Sequence, residues 1–437
     1  MTENNQRRNF IKQGIAAGTG ATLASARILG ANDRVRIGVI GCGRQARGVI
    51  GNFMRYPEVQ VVALADVYAT NLNETKTKAN DAETFKDFRK LLDRKDIDAV
   101  IVASPDHWHA LHMIYACQAG KDVYVEKPIS TSIAEGRAMV QAARKYNRVA
   151  QVGTQQRSGD HYQQAAKLIQ GGALGKITRV HTWNIGNGAP AGIGAPADSN
   201  PPADLDWEMW LGPAPLRPFN VNRFGVVPDR WSSFRWFWDY AGGMMTDWGV
   251  HHLDIVQMAM NVDAPNAVTA MGGKLALQDN RETPDTLMVT YEYPGFICTY
   301  ENRDCNGYGM NGNGYGILFH GTEGTMFINR RYFEIIPETR RVNDQPQPRM
   351  EAQQAKNTND QGLTHVRNFL DCLKSRQRPI CDIEIGHRST TTALLGNVAL
   401  RAGKRITWNK ETERVENDPA ANKYVSREYR KPWKLNV

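Results

Sequence analysis

The stretch richest in reactive side chains is Gly242-Gly243-Met244-Met245-Thr246-Asp247-Trp248-Gly249-Val250-His251-His252-Leu253-Asp254. Asp247 and His251 stand four apart, so on a helix they share a face, where a carboxylate can orient an imidazole that takes and returns a proton. Histidine suits that task because its ordinary pKa of roughly 6.5 lies close to neutrality. The same spacing also describes a helix start in which Asp247 only caps and His251 is a satisfied, half-buried ring. Far upstream, Glu126-Lys127-Pro128 sets a lysine just past the apolar run Asp122 to Val125. Taken by itself, such a lysine beside a glutamate is an exposed ion pair.

A third group of residues concerns phosphate. Val35 to Ile40 reads as a buried strand and runs into Gly41-Cys42-Gly43-Arg44-Gln45-Ala46, which opens a helix through Phe53. In this G-x-G-x-x-A turn Gly41 permits the tight bend, Gly43 lets the backbone approach a pyrophosphate, and Ala46 is small enough for helix to pack on strand. The helix start then offers free N–H groups to the phosphates. A second apolar run, Val59 to Ala65, ends in Asp66, 20 residues beyond Ala46, where a ribose-binding acid belongs. An acid there accepts from a 2′-hydroxyl and repels a 2′-phosphate, which favours NAD over NADP.

These turns need a scaffold. Further strands are predicted at Ala99 to Ala103, Asp122 to Val125 and Val149 to Val152, each leading into a polar turn, with helices at Ala110 to Ala119 and Ile133 to Tyr146 between them. Alternating strands and helices with short turns describe an α/β doubly wound parallel sheet, a Rossmann domain, whose ligand lies at the carboxyl ends of its strands.

The glycine turn, Asp66, the Ser104-Pro105-Asp106-His107-Trp108-His109 turn and above all Glu126-Lys127-Pro128 resemble the Gfo/Idh/MocA family of glucose-fructose oxidoreductase and inositol dehydrogenase-like enzymes. The resemblance covers nearly the whole chain after residue 31. It implies that Lys127 lies between nicotinamide and substrate, that Lys127-Pro128 is a cis peptide, and that Asp247 and His251 are the catalytic pair. By the same resemblance Gly41, Cys42, Gly43, Arg44, Gln45, Ala46, Asp66, Ser104, Pro105, His109, Glu126, Lys127 and Gln155 hold the dinucleotide. Lys127, Arg157, Trp238, Tyr240, Asp247, His251 and His252 are the expected substrate contacts. The implied reaction has His251 remove a hydroxyl proton, Asp247 orient the imidazole and Lys127 polarise the oxygen while a hydride passes between a sugar or polyol carbon and the cofactor. Two alternatives stand beside it: a glycosidase that oxidises a ring hydroxyl transiently and eliminates the aglycone, and a non-catalytic sugar-binding protein on the same fold.

Downstream, seven of the ten tryptophans (Trp183, Trp207, Trp210, Trp231, Trp236, Trp238 and Trp248) fall within fewer than 70 residues. Aromatic faces stack on pyranose rings, and Trp238 with Tyr240 precede the Asp247 segment directly. Strands are predicted at Val268 to Leu275, Thr286 to Tyr293, Phe296 to Asn302, Tyr315 to His320 and Gly324 to Asn329, then helices at Leu363 to Ser375 and Ile385 to Ala402. This order fits an α+β domain with a large open, mostly antiparallel sheet. The expected divisions are a leader at 1–31, a Rossmann domain at 32–155 and a catalytic domain at 156–437. In relatives the free sheet face forms subunit contacts, which implies a homo-oligomer.

The 437 residues are 41% hydrophobic and 23% charged, ordinary for a two-domain globular chain. The net charge of +9 is scattered rather than clustered, so no nucleic-acid partner is expected. No run approaches the roughly 20 apolar residues of a membrane span. His107, His109, His112, Asp247, His251 and His252 lack metal-ligand spacing, so no metal is expected. None of the six cysteines forms a C-x-x-C pair; Cys372 and Cys381 are either buried free thiols or, after export, a disulfide. The opening Gln6-Arg7-Arg8-Asn9-Phe10-Ile11-Lys12, a Gly/Ala-rich run and Ala24-Ser25-Ala26 resemble a twin-arginine signal, which implies export, to the periplasm or beyond, of a protein folded around its cofactor.

Overall fold

The computed structural model describes residues 34–79, 82–225 and 232–437; the twin-arginine segment and Trp231 lie outside the described residues. Strands β1 (Val35–Ile40), β2 (Val59–Ala65), β3 (Glu83–Phe85), β4 (Ala99–Val102), β5 (Asp122–Val125) and β6 (Ala150–Val152) form one parallel sheet in the order β3-β2-β1-β4-β5-β6. That is the dinucleotide-binding order, with the chain reversing direction between β1 and β4. Its central strands are apolar runs buried on both faces, every residue of β4 included, because helices cover each side. The helix expected from Ala110 begins at Asp106, one residue past Pro105. Nearly all its positions are buried, so no apolar stripe marked its start. Helix Ile133–Lys145 starts at a capping box in which Ser132 and Glu135 satisfy each other's backbone amides. The short β3 and helix Ala69–Lys76 carry too few apolar residues to show in the sequence.

The second sheet has ten strands. It takes in β7 (Ile177–Ile185), β8 (Ala267–Gly273), β9 (Thr286–Tyr293), β10 (Phe296–Arg303), β11 (Tyr315–Gly321), β12 (Gly324–Ile328) and β13 (Tyr332–Pro337). Beyond a small separate hairpin (β14, Thr339–Val342; β15, Gln345–Pro348) it adds β16 (Gln353–Lys356), β17 (Ile406–Asn409) and β18 (Arg414–Val415). The order is β16-β13-β12-β11-β7-β10-β9-β8-β17-β18, and all pairs are antiparallel except β7 with β10. β7, absent from the sequence expectation, sits mid-sheet. Along β9, Leu287, Val289, Tyr291 and Tyr293 enter the core while Met288 faces out, the period of two that made this strand legible. Helices Asp160–Gln170, Gly249–Met260 and Ile383–Ala402 cover the core face.

The chain then returns. Val366, Phe369 and Leu370 of helix Gln361–Ser375 complete a core of the first sheet, Phe369 packing against Phe53 and Tyr124 with ring centroids 6.0 and 5.8 Å apart. The parallel sheet is therefore finished by residues some 200 positions past its last strand. Near the C-terminus Trp433 packs edge-on against Trp108, centroids 4.8 Å apart. All six cysteines are free thiols, Cys372 and Cys381 lying in different cores. Among the described residues no helix is long and apolar enough to cross a membrane, and no cluster of three metal-ligating side chains occurs.

Candidate active site

A cavity of about 420 Å³ opens at the carboxyl ends of the parallel strands. At one end lies the glycine turn. Gly41 has φ +86°, and a Cβ there would stand 2.4 Å from the Ser104 amide nitrogen, so the β1 and β4 turns touch only because this residue has no side chain. At Gly43 a Cβ would meet nothing nearer than Asn71 Nδ2 at 3.9 Å, which leaves the backbone open to the cavity. Helix Arg44–Phe53 starts without a side-chain cap, and the positive end of its dipole faces the cavity where an anion would sit. Asp66 is held at the end of β2 by the Cys42 and Tyr68 amides, which donate to Oδ2 (2.7 Å) and Oδ1 (2.9 Å). Burial raises its pKa to about 6, against those two hydrogen bonds. These residues fit a dinucleotide: an open, uncapped helix start for the pyrophosphate and a fixed carboxylate for the ribose.

The opposite end is assembled from distant segments. Lys127, whose bond to Pro128 is cis, donates from Nζ to Asp247 Oδ1 (2.7 Å) and to the Asp247 carbonyl (2.8 Å). Arg235 Nε donates to the same Oδ1 at 3.0 Å. Burial works against the Asp247 charge, but Lys127 and Arg235 outweigh it and hold the carboxyl well below its usual range. His251 is buried at the cavity wall with Nδ1 unpartnered, and burial, helped by Lys127 and Arg330, keeps the imidazole neutral far below its usual pKa. Asp106 also faces this end. Burial lifts it to about 7, with Asp247 adding to the shift and Arg235 and Lys127 opposing it.

The Asp247 to His251 relation differs from the expectation. Asp247 closes a short helix, Gly243–Asp247, and His251 lies in the first turn of the next, Gly249–Met260, with Trp248 between. The carboxylate is taken up by two cations, and among the described residues no hydrogen bond joins it to the imidazole. The first helix is fixed by Gly243, φ +68°, where a Cβ would meet Thr283 at 2.8 Å, and by Tyr300, whose hydroxyl donates to the Met244 carbonyl (3.0 Å).

Of the expected dinucleotide contacts, Gly41, Gly43, Arg44, Gln45, Asp66, Ser104, Pro105, His109, Glu126, Lys127 and Gln155 line the cavity. Cys42 and Ala46 do not: Cys42 points its thiol at the Ala65 carbonyl and Ala46 packs in the core. His109 acts as a brace, its ring nitrogens 2.7 Å from the Pro128 and Ser104 carbonyls, and Gln155 donates to Glu126 Oε1 (3.0 Å). Four expected substrate contacts lie elsewhere. Arg157 is buried in an ion pair with Asp254 (2.7 Å), and His252 is buried behind Trp248, with its pKa pulled down to about 3 by burial. Trp238 donates its indole N–H to the Glu282 carbonyl and lies under Arg401. Tyr240 is fully buried between Trp210 and His107. Nearness in sequence to Asp247 misled in both aromatic cases. No sequence pattern marks Arg235, Phe234, Met209 and Arg330 as wall residues, since each reaches the cavity only through the tertiary fold.

The chain belongs to the Gfo/Idh/MocA oxidoreductase family: residues 35–154 match its NAD-binding Rossmann domain and residues 163–435 its C-terminal alpha/beta domain. It is 29% identical over 142 residues to a myo-inositol 2-dehydrogenase of Thermotoga maritima, covering 32% of this chain and 42% of that one. It is 34% identical over 127 residues to a glycosyl hydrolase family 109 protein of Saccharopolyspora erythraea, covering 27% and 28%. The match thus spans less than half the length of either relative. The fold resembles the WlbA dehydrogenase from Bordetella pertussis, solved in complex with NADH and UDP-GlcNAcA, with TM-score 0.64 at 20% identity over 86% of this chain and 99% of that one.

Proposed function

We propose that this oxidoreductase is an exported, NAD-dependent dehydrogenase of sugar or polyol hydroxyls. The observation that carries the proposal is the sharing of one cavity by the open glycine turn, the Lys127–Asp247 pair and the neutral His251. Nicotinamide, when bound, supplies the carbon that accepts or returns the hydride. Asp247 fixes the Lys127 ammonium through two of its three donors, which leaves the third for a substrate oxygen. Neutral His251 takes the hydroxyl proton as the carbonyl forms and returns it in the reverse direction. Asp247 is a positioning residue here, and the group it positions is the ammonium rather than the imidazole.

The inositol dehydrogenase relative supports a polyol or sugar substrate. Asp66 supports NAD over NADP, although Lys86, next after β3, also lines that end of the cavity. Export rests on the Arg7-Arg8 segment, and is tested by fusing residues 1–31 to a folded reporter; export surviving Arg7→Lys with Arg8→Lys overturns it. Self-association is supported by Met271, Met288 and Ile297, exposed on the face of the large sheet opposite its core. The deciding experiment incubates the purified protein with NAD and a panel of aldoses and cyclitols. NADH formation that depends on His251 is expected. The glycosyl hydrolase relative keeps a second reading open, and aglycone release from glycosides without net NADH would establish it in place of the first.

A further inference from the structure

Three cationic side chains reach the Lys127–His251 end of the cavity, and two of them are engaged: Lys127 and Arg235 both bind Asp247. Arg330 differs. Its guanidinium lies over the Trp248 ring, 4.5 Å from the centroid, and among the described residues it has neither a carboxylate nor a hydrogen-bond acceptor. A half-buried charge is normally paired, because desolvation otherwise disfavours it. Stacking on an indole returns only part of that cost and leaves the planar fork of N–H donors free.

The turn that carries Arg330 is built rather than loose. Asn329 Oδ1 accepts from the Arg331 and Tyr332 amides (2.8 and 3.2 Å), and the Asn329 carbonyl lies 2.8 Å from His161 Nε2. Gln361 Nε2 donates to the Arg330 carbonyl itself (3.0 Å). Trp248 is backed by Tyr315, ring centroids 4.9 Å apart, and its neighbour three residues on is His251. A fixed fork with no carboxylate partner among the described residues therefore stands over Trp248, whose ring lies 6.2 Å from that of the proton-accepting His251.

We propose that Arg330 is a specificity residue that binds a carboxylate on the substrate, making the preferred substrates sugar acids such as uronates rather than neutral sugars. The inference rests on the sugar dehydrogenase reading above and narrows it. A guanidinium fork matches a carboxylate through two parallel hydrogen bonds, and fixing that group beside Trp248 presents the ring hydroxyls to His251 and Lys127.

The test measures both binding and turnover. Methyl glucopyranoside, methyl glucopyranosiduronate and glucose 6-phosphate are titrated calorimetrically onto the NADH-loaded protein, and each is assayed with NAD, for the parent, Arg330→Met and Arg330→Lys. The uronate is expected to bind the parent about 10- to 100-fold more tightly than the neutral glycoside, the size of a charge-assisted pair. That preference should vanish in Arg330→Met and survive in part in Arg330→Lys, which also shows that the site still folds. Equal binding of uronate and neutral glycoside, or an equal preference in the parent and Arg330→Met, overturns the proposal. Tighter binding of the phosphate ester than of the uronate overturns the carboxylate assignment, and a parallel loss of NAD affinity in Arg330→Met places the guanidinium on the cofactor instead. Arg330-dependent uronate binding without NADH formation would uphold Arg330 as a carboxylate site and defeat the dehydrogenase reading, and with it the assignment of uronates as substrates.

Discussion

The two ends of the cavity are built by different means. The glycine-turn end comes almost wholly from the β1 to β2 segment, within about 30 consecutive residues, and works through backbone: open space beside Gly43, a turn no side chain can enter, and a carboxylate fixed by two N–H groups. The other end joins Lys127, Arg235, Asp247, His251 and Arg330, contributed by four separate stretches and working through side chains. Backbone geometry leaves a compact signature because only glycine satisfies it, whereas a side-chain cluster is specified by the fold. The two ends should therefore fail differently. His251→Ala is expected to lower turnover by roughly 100- to 10,000-fold, the usual worth of a general base, while NAD titration of the same variant stays close to the parent. Parent-like turnover would remove His251 from the chemistry, and a matching loss of NAD affinity would erase the distinction between the ends.

The converse substitution is Gly41→Ala. Its Cβ would lie 2.4 Å from the Ser104 nitrogen at a φ of +86°, so the turn has to move. Strain of this kind costs on the order of 1–3 kcal/mol, and we expect it as about a 10- to 100-fold weaker NAD affinity. With saturating NAD the variant should recover most of its kcat. Unchanged affinity would show that the turn does not hold the cofactor.

The same contrast explains what the sequence disclosed. Strands β1, β2 and β5 are legible to the residue, and so is the Glu126-Lys127-Pro128 turn, because burial on both faces and proline both constrain a short local run. β7 was missed: ITRVHTWNI has neither clean alternation nor an apolar run, and it becomes a strand by lying between β10 and β11. Trp238 and Tyr240 were assigned to the substrate because they precede Asp247, yet proximity along the chain says nothing of which way a side chain turns. Arg330 was invisible for the opposite reason, standing 79 positions past His251 on a tight turn.

pH should separate the two ends with a smaller effect. Burial pushes Asp66 up to about 6, so as pH falls through that value it takes up a proton and loses the charge that strengthens its bond from a ribose hydroxyl; the KM for NAD should rise, by up to about fivefold from pH 6 to pH 5. His251 is displaced the other way. A base held well below 6.5 remains neutral as pH falls through 6.5, so kcat at saturating NAD and substrate should show no acid limb there. An acid limb in kcat centred at 6.5 would mean that the imidazole is not held neutral by its surroundings.

The smallest expected effect concerns Tyr240, which proximity assigned to the substrate and the fold places in an aromatic core. Its ring lies 4.9 Å from that of Trp210 and 5.1 Å from that of His107, and it is fully buried. Among the described residues its hydroxyl has no hydrogen-bond partner. A buried donor without an acceptor is a cost to the folded state, so removing the oxygen while keeping the ring should preserve the packing and relieve that cost. Tyr240→Phe is therefore expected to leave the substrate KM within about twofold and to raise stability by up to about 1 kcal/mol, read by denaturant unfolding. A hydroxyl that touched the substrate would behave otherwise: its loss would raise KM with stability unchanged. Such a result would turn Tyr240 toward the cavity and return to the side-chain end of the site one residue that the fold now assigns to its support.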